Sequence, residues 1–199
     1  MLYSTRMIVG LDIDGVLADF LPPFLKLLEA RAGRGPIEVE SITDPSFVSH
    51  PYISNEIISD CMTEVSYDSR FWQNLKPLAT TRQWQVLDEL SRDERLLFVT
   101  HRYERETYSI REITCDWLKK HGIKSPVVYF TQSYKSELVR QLKIELFVDD
   151  RHENCLDVAE KTDAVVMMPH RSYNNSFEHP KVQRIHDLEE LFSYLSSWA

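Results

Sequence analysis

Two carboxylates stand two residues apart in Asp12-Ile13-Asp14-Gly15, and two more stand side by side in Asp149-Asp150. Side chains alternate along an extended segment, so Asp12 and Asp14 project to one side and Ile13 to the other. Gly15 permits a tight exit that a Cβ would obstruct. Either acidic pair alone fits helix caps and turn acids. Both pairs, each directly after an apolar run, fit a single pocket, where desolvated carboxylates repel. A divalent cation resolves that conflict, and an oxygen-only donor set suits Mg2+. Asp12 can then attack phosphorus and form an aspartyl-phosphate. Asp14 can protonate the leaving oxygen and afterwards deprotonate the hydrolytic water. Thr100 and the amides after it can hold phosphoryl oxygens, and Lys135 offers a point charge for phosphate and nucleophile. His101 is a candidate to bind phosphate or help protonate the leaving group. Arg102 and Arg151 fit a pairing with phosphate or with the acidic cluster, and the sequence leaves both open. His50, His121, His152, His170, His179 and His186 show no zinc-ligand spacing.

These residues follow apolar runs that read as strands. Met7–Leu11 precedes Asp12, Leu96–Val99 precedes Thr100, and Leu146–Val148 precedes Asp149. Val127–Phe130 and Ala164–Met168 are two more such runs. All are apolar throughout rather than alternating, as in strands covered on both faces. Amphipathic segments lie between them: Trp84, Leu87 and Leu90 behind a Thr80 or Thr81 cap, and Ile110, Ile113, Trp117 and Leu118 before a stop at His121-Gly122. The alternation predicts an α/β fold with a doubly wound parallel sheet. Ligands in such sheets bind beyond the carboxyl ends of the strands, where these polar residues stand. About 80 residues separate the first two runs, too many for one crossover helix. Residues 20–74 therefore read as a small helical cap inserted after the first strand, with 1–19 and 75–199 as the catalytic core.

At 199 residues and 43% hydrophobic content the chain suits one globular domain with an insertion. A net charge of −8, with no Lys/Arg run, disfavours a nucleic-acid polymer as partner. A small anion remains compatible, because local cations or a metal overrule overall charge. Cys61, Cys115 and Cys155 are scattered and odd in number, which suits small apolar fillers in a reducing compartment. No apolar run approaches the roughly 20 residues of a membrane span, and the N-terminus lacks a signal-peptide core. A soluble, cytoplasmic protein is expected.

Asp12-Ile13-Asp14-Gly15-Val16-Leu17-Ala18-Asp19-Phe20, Thr100, Lys135 and Asp149-Asp150 resemble, in order, the four signature motifs of the haloacid dehalogenase (HAD) phosphatases. The first stretch, Phe71-Trp72-Gln73-Asn74-Leu75-Lys76-Pro77-Leu78, Val148–Arg151 and the Pro169–Asn174 segment are further similar to the 5'(3')-deoxyribonucleotidase branch. The resemblance implies a Rossmann-like core with strand order 5-4-1-2-3. It implies a Mg2+ site from Asp12, the Asp14 backbone carbonyl and the Asp149-Asp150 pair, with Asp150 the inner-sphere acid of that pair. It also implies that Phe20, Phe71 and Trp72 face the leaving group, where aromatics could stack on a base or simply pack cap on core. His101 stands where that branch carries a small hydroxyl, and residues 44–60 match nothing in it.

The expected activity is therefore hydrolysis of a small phosphomonoester, foremost a nucleoside 5'-monophosphate. A sugar phosphate or another small phosphometabolite is the alternative within the enzyme class. Outside it stand a catalytically silent phosphate- and metal-binding protein and a phospho-receiver domain. A receiver places its paired acids first and lacks a cap, the reverse of the order here.

Overall fold

The computed structural model describes residues 7–197. In chain order these form β1 (Val9–Leu11), β2 (Ala18–Asp19), α1 (Leu21–Ala32), α2 (Asn55–Tyr67), α3 (Ser69–Gln73), β3 (Lys76–Pro77) and α4 (Thr81–Arg92). There follow β4 (Leu96–Thr100), α5 (Ile110–Lys120), β5 (Val128–Phe130), α6 (Lys135–Gln141), β6 (Leu146–Val148), α7 (His152–Lys161), β7 (Val165–Pro169), β8 (Val182–Ile185) and α8 (Leu188–Ser197). Short 3-10 turns stand at Val39–Ser41 and Ser172–Asn174.

The main sheet runs β5-β4-β1-β6-β7-β8, and every adjacent pair is parallel. Numbered over the five apolar strands β1, β4, β5, β6 and β7, this is the expected 5-4-1-2-3 order, with β8 added beyond the fifth. Strand β8 escapes a reading of apolar runs because Gln183 and Arg184 interrupt it at the sheet edge. All three residues of β1 and of β6 are buried, which explains their uninterrupted apolar character. The chain leaves β1 toward β4 and β5, then returns to β6 on its other side. That switch point opens a crevice beyond the carboxyl ends of β1, β4 and β6.

Antiparallel pairing of Ala18 with Pro77 and Asp19 with Lys76 brackets the inserted segment at its base. Two-residue strands carry no periodicity, so the sequence does not announce them. Within the insertion, Pro22 and Pro23 preset the first turn of α1, and Gly33 ends it at a φ of 62°. The Ser54 hydroxyl caps α2 by accepting from the Ile57 amide at 3.3 Å. Phe24, Val65 and Trp72 of the insertion belong to the same buried cluster as Leu11 and Phe98 of the sheet, so the two regions share one core. On the core side, Thr80 and Gln83 form the reciprocal cap that opens α4. Among the described residues no helix is long and apolar enough to cross a membrane.

Candidate active site

The turn after β1 is shaped by close approach. Gly15 adopts a φ of 77°, and a Cβ built on it would lie 2.1 Å from Asp150 Oδ2 and 2.7 Å from the Tyr173 hydroxyl oxygen. Only glycine satisfies both the left-handed backbone and that contact. The Gly15 amide donates to Ala18 O at 2.8 Å, and its carbonyl accepts from Arg171 Nε at 2.9 Å. The turn is thus tied to β2 on one side and to the loop after β7 on the other.

Beside this turn Lys135, at the first position of α6, lies 1% exposed. Its ammonium donates to Asp12 Oδ1 at 2.7 Å, Asp149 Oδ2 at 2.6 Å and Val99 O at 3.2 Å, which uses all three of its protons. Burial opposes its charge, but Asp12 and Asp149 outweigh burial and hold its pKa above the ordinary lysine value. Asp149 is fully buried beneath the crevice, with Oδ1 accepting from the Arg151 amide at 2.9 Å and both oxygens near Asn154 Nδ2 at 3.1 Å. Asp150 accepts a short hydrogen bond from the Tyr173 hydroxyl on Oδ2, while its backbone carbonyl accepts from Asn174 Nδ2 at 2.8 Å. Burial pushes the Tyr173 hydroxyl far above the ordinary tyrosine range, and Asp150 reinforces it, so the phenol keeps the proton that it donates to Asp150.

Oxygens of Asp12, Asp149 and Asp150 lie within 4.8 Å of one another. Three carboxylates against one ammonium leave two negative charges uncompensated, the charge of one divalent cation. Burial raises the Asp12 pKa well above the usual carboxylate range; Lys135 pulls against it, and Asp149, Asp150 and Asp14 add to the rise. Burial, followed by Asp149, pushes Asp150 up to about 7. Charge balance and an all-oxygen donor set fit Mg2+. Asp149 spends its oxygens on Lys135, Asn154 and a backbone amide, which leaves Asp12 and Asp150 better disposed toward an ion.

These shifts carry a sign. Because the folded-state pKa of Asp150 lies above its ordinary 3.8, its burial costs nothing below that pH. The cost grows as pH rises toward about 7, where the folded group finally ionises. An ion competes with the proton for the carboxylates. Saturating Mg2+ is therefore expected to raise the Tm more at roughly pH 8 than at roughly pH 5.5. Thermal melts at both pH values with and without Mg2+ check this; equal shifts would contradict a metal site on these acids.

Asp14 stands apart from that cluster. Both of its oxygens accept from Arg102, Nε to Oδ2 at 2.9 Å and Nη2 to Oδ1 at 2.7 Å. The alternative left open for Arg102 closes in favour of an acid, and the acid is Asp14 rather than the buried trio. The Arg151 side chain instead meets Glu153 at 3.1 Å.

A cleft of about 410 Å³ opens over these groups, lined by Asp12, Asp14, Thr100, His101, Lys135 and Asp150 from the sequence-selected set. Asp149 lies below it, not in its wall. His101 is half-buried, its Nε2 donating to Ser133 O at 3.2 Å; burial and then Lys135 lower its pKa and favour the neutral ring. Phe20 and Trp72 line the cleft, with ring centroids 5.9 Å apart. Phe71 does not: it packs edge-on against Phe20 at 5.4 Å, outside the lining. The far wall is built by Phe47 and Met62 of the insertion and by Arg105 and Tyr108 after β4, where Tyr108 donates to Ser66 O at 2.7 Å. The sequence gives no sign of Arg105 and Tyr108, which stand in an irregular loop, or of Asn154; Arg171 lies within the Pro169–Asn174 segment. Tyr173 and Asn174 carried a signal, since they end the Pro169–Asn174 segment.

Residues 6–195 match the sequence model of the family described as 5' nucleotidase, deoxy (Pyrimidine), cytosolic type C. The chain belongs to this family. It is a nucleotidase-like phosphatase of the HAD superfamily. Over 193 residues, spanning 95% of this chain and 92% of the relative, it is 24% identical to "Putative nucleotidase BH1399" of Halalkalibacterium halodurans. A likewise named protein of Bacillus subtilis is 23% identical over 196 residues, 95% of this chain and 93% of its own. Among solved structures, a HAD-superfamily hydrolase, subfamily IA, from Geobacter sulfurreducens superposes with a TM-score of 0.55 at 14% identity. That match covers 96% of this chain and 98% of the other, and it shows the shared fold.

Proposed function

We propose that this nucleotidase-like phosphatase hydrolyses a nucleoside 5'-monophosphate with Mg2+, through an aspartyl-phosphate on Asp12. One observation carries the reading. Asp12 sits at the crevice with its Oδ1 held by the Lys135 ammonium, while Asp14, two residues on, faces the same cleft from a separate clamp.

The residues divide the work as follows. Lys135 ties Asp12 to Asp149 and lessens the repulsion that a phosphate dianion meets on approach. A carboxylate oxygen of Asp12 forms a bond to phosphorus as the bond to the leaving oxygen breaks, and Asp14 gives that oxygen its proton. Water then attacks the phosphoryl group, passes a proton to Asp14, and releases phosphate with the Asp12 carboxylate restored. Thr100 and the neutral His101 ring line the phosphoryl end. Asp12 and Asp150, with the Asp14 carbonyl, would hold Mg2+, whose charge helps bind and polarise the phosphoryl oxygens. Phe20, Trp72, Phe47 and Met62 give the remainder of the cleft an apolar face suited to a base, and residues 20–74 form the cap that carries most of it. Among the described cleft-lining cations, Lys135, Arg102 and Arg151 are paired with carboxylates. Among the described residues no carboxylate lies within 4.0 Å of Arg105, whose Nε donates to Ser66 O at 3.3 Å; its remaining N–H groups suit a leaving group bearing carbonyl or hydroxyl acceptors.

The test is a phosphate-release screen with Mg2+ over ribo- and deoxyribonucleoside monophosphates, sugar phosphates and other small phosphomonoesters. Nucleoside 5'-monophosphates are expected to give the highest kcat/KM. A strong sugar-phosphate response beside a flat nucleotide response would overturn the substrate while leaving the phosphatase chemistry intact.

A further inference from the structure

Arg102 is an expensive residue to place where it lies. Its side chain is 1% exposed, and burial of a guanidinium is costly unless every face is satisfied. Three contacts satisfy it. The fork of Nε and Nη2 takes both oxygens of Asp14; Nη1 donates to Thr114 Oγ1 of α5 at 3.0 Å; and Cζ lies 4.8 Å from the centre of the Trp72 ring. Thr114 is itself fully buried, and Trp72 is pinned by its own Nε1 donating to Val65 O at 3.0 Å. The guanidinium is therefore fixed from the core by α5 and from the insertion by α3. Asp14, 24% exposed, is the carboxylate of this group, and it lines the cleft alongside Trp72 and Arg102.

The position of Asp14 needs such a fixture. It follows Asp12 by two residues and sits beside three acids that together would hold a cation. A freely rotating carboxylate there would be drawn to that cation. Yet the close-set oxygens come from Asp12, Asp149 and Asp150 alone, while Asp14 is turned to Arg102. A bidentate fork fixes direction as well as distance, which a lysine ammonium does not.

We propose that Arg102 is a positioning residue that keeps the Asp14 carboxylate out of the acidic cluster and directed into the cleft, where the leaving group departs. This rests on the reading of Asp14 as proton donor and acceptor. In the first step the phosphorus–oxygen bond to the leaving group breaks while a proton passes from Asp14 to that oxygen. An alkoxide leaving group needs the proton; p-nitrophenolate, a far weaker base, leaves without it. Misdirecting Asp14 penalises the first kind of substrate selectively, whereas loosening of the fold penalises both alike.

The experiment compares kcat/KM, which reports the steps up to departure of the leaving group, with Mg2+ on p-nitrophenyl phosphate and on the best alkyl phosphomonoester of the screen. Arg102→Gln is expected to lose about 10²-fold more on the alkyl ester than on the aryl ester. Arg102→Lys, with charge but no fork, is expected to show most of the same selectivity. Losses equal within about threefold on the two substrates, or full recovery by lysine, overturn the proposal. Should Arg102→Gln fail to fold, Thr114→Val removes one anchor of the guanidinium; a smaller loss biased toward the alkyl ester supports the proposal, and an unbiased loss overturns it. Asp14→Asn separates the two levels. If it shows the selective loss and the Arg102 variants do not, the positioning role falls and the acid/base reading stands. If Asp14→Asn itself loses equally on both esters, the acid/base reading falls and takes the positioning role with it.

Discussion

Replacing Asp12 by asparagine is expected to lower phosphate release by at least about 10⁴-fold, since a nucleophile's removal is not compensated by the groups around it. Asparagine keeps the size and one oxygen of the side chain, so Lys135 Nζ, now 2.7 Å from Asp12 Oδ1, retains an acceptor. The protein should therefore fold, and the loss should fall on turnover rather than on substrate binding. An amide oxygen is too poor a nucleophile to form the phosphoryl bond. Rapid quenching with a ³²P-labelled substrate should find protein-bound, hydroxylamine-labile phosphate in the unsubstituted enzyme and none in Asp12→Asn. Full activity in the variant on the best substrate would remove Asp12 from the mechanism altogether.

The second large effect belongs to Lys135 and is read in stability. Lys135→Met removes the ammonium that joins Asp12 to Asp149 at 2.7 and 2.6 Å, both carboxylates and the lysine being buried. Breaking a buried pair from one side leaves charge uncompensated and costs about 3–5 kcal/mol, measurable by urea denaturation. The pH dependence separates this from simple loss of packing. The folded lysine pKa lies above its ordinary 10.5, so its contribution is fully present below that value and constant across the neutral range. In the variant the Asp12 pKa, already raised by burial and now without the opposing pull of Lys135, should rise further. Stability should then recover on acidification and fall as pH increases, a slope opposite to ordinary acid denaturation. Excess Mg2+ should restore part of the loss at neutral pH. A deficit under about 1 kcal/mol that is flat with pH would mean that Lys135 is a spectator.

How far such a site can be read from sequence depends on whether its parts are local. Asp12, Thr100, Lys135 and Asp149-Asp150 each follow an apolar run or open a helix, so alternation of strands and helices predicts that they meet at one end of a sheet. The fold class followed from the same signals, whereas the strand order was implied by the resemblance to the HAD phosphatases. What stayed hidden was pairing across long separations. Nothing near Arg102 says that its fork will close on Asp14, 88 residues earlier, nor near Tyr173 that its hydroxyl will meet Asp150. Depth was hidden too: Asp149 and Asp150 are adjacent, yet one faces the cleft and the other lies under it. Phe71 and Trp72 differ in the same way, because a one-residue step around α3 turns one ring to the cleft and the other away from it. Apart from Met62 of α2, the far wall of the cleft comes from irregular loops, where periodicity offers nothing to count.

The loop after β7 has a consequence of another kind. Three consecutive residues there answer to three separate partners: Arg171 Nε holds the Gly15 carbonyl at 2.9 Å, Ser172 Oγ holds Val39 O at 2.9 Å, and Tyr173 holds Asp150. Loops of this sort usually tolerate insertions and deletions. Here a change of length by a single residue would misalign all three attachments at once, whereas a change of composition at one position would release only one. Spacing, more than side-chain identity, is what this stretch of chain is obliged to preserve, and a circular permutation or tag insertion would have to be placed elsewhere.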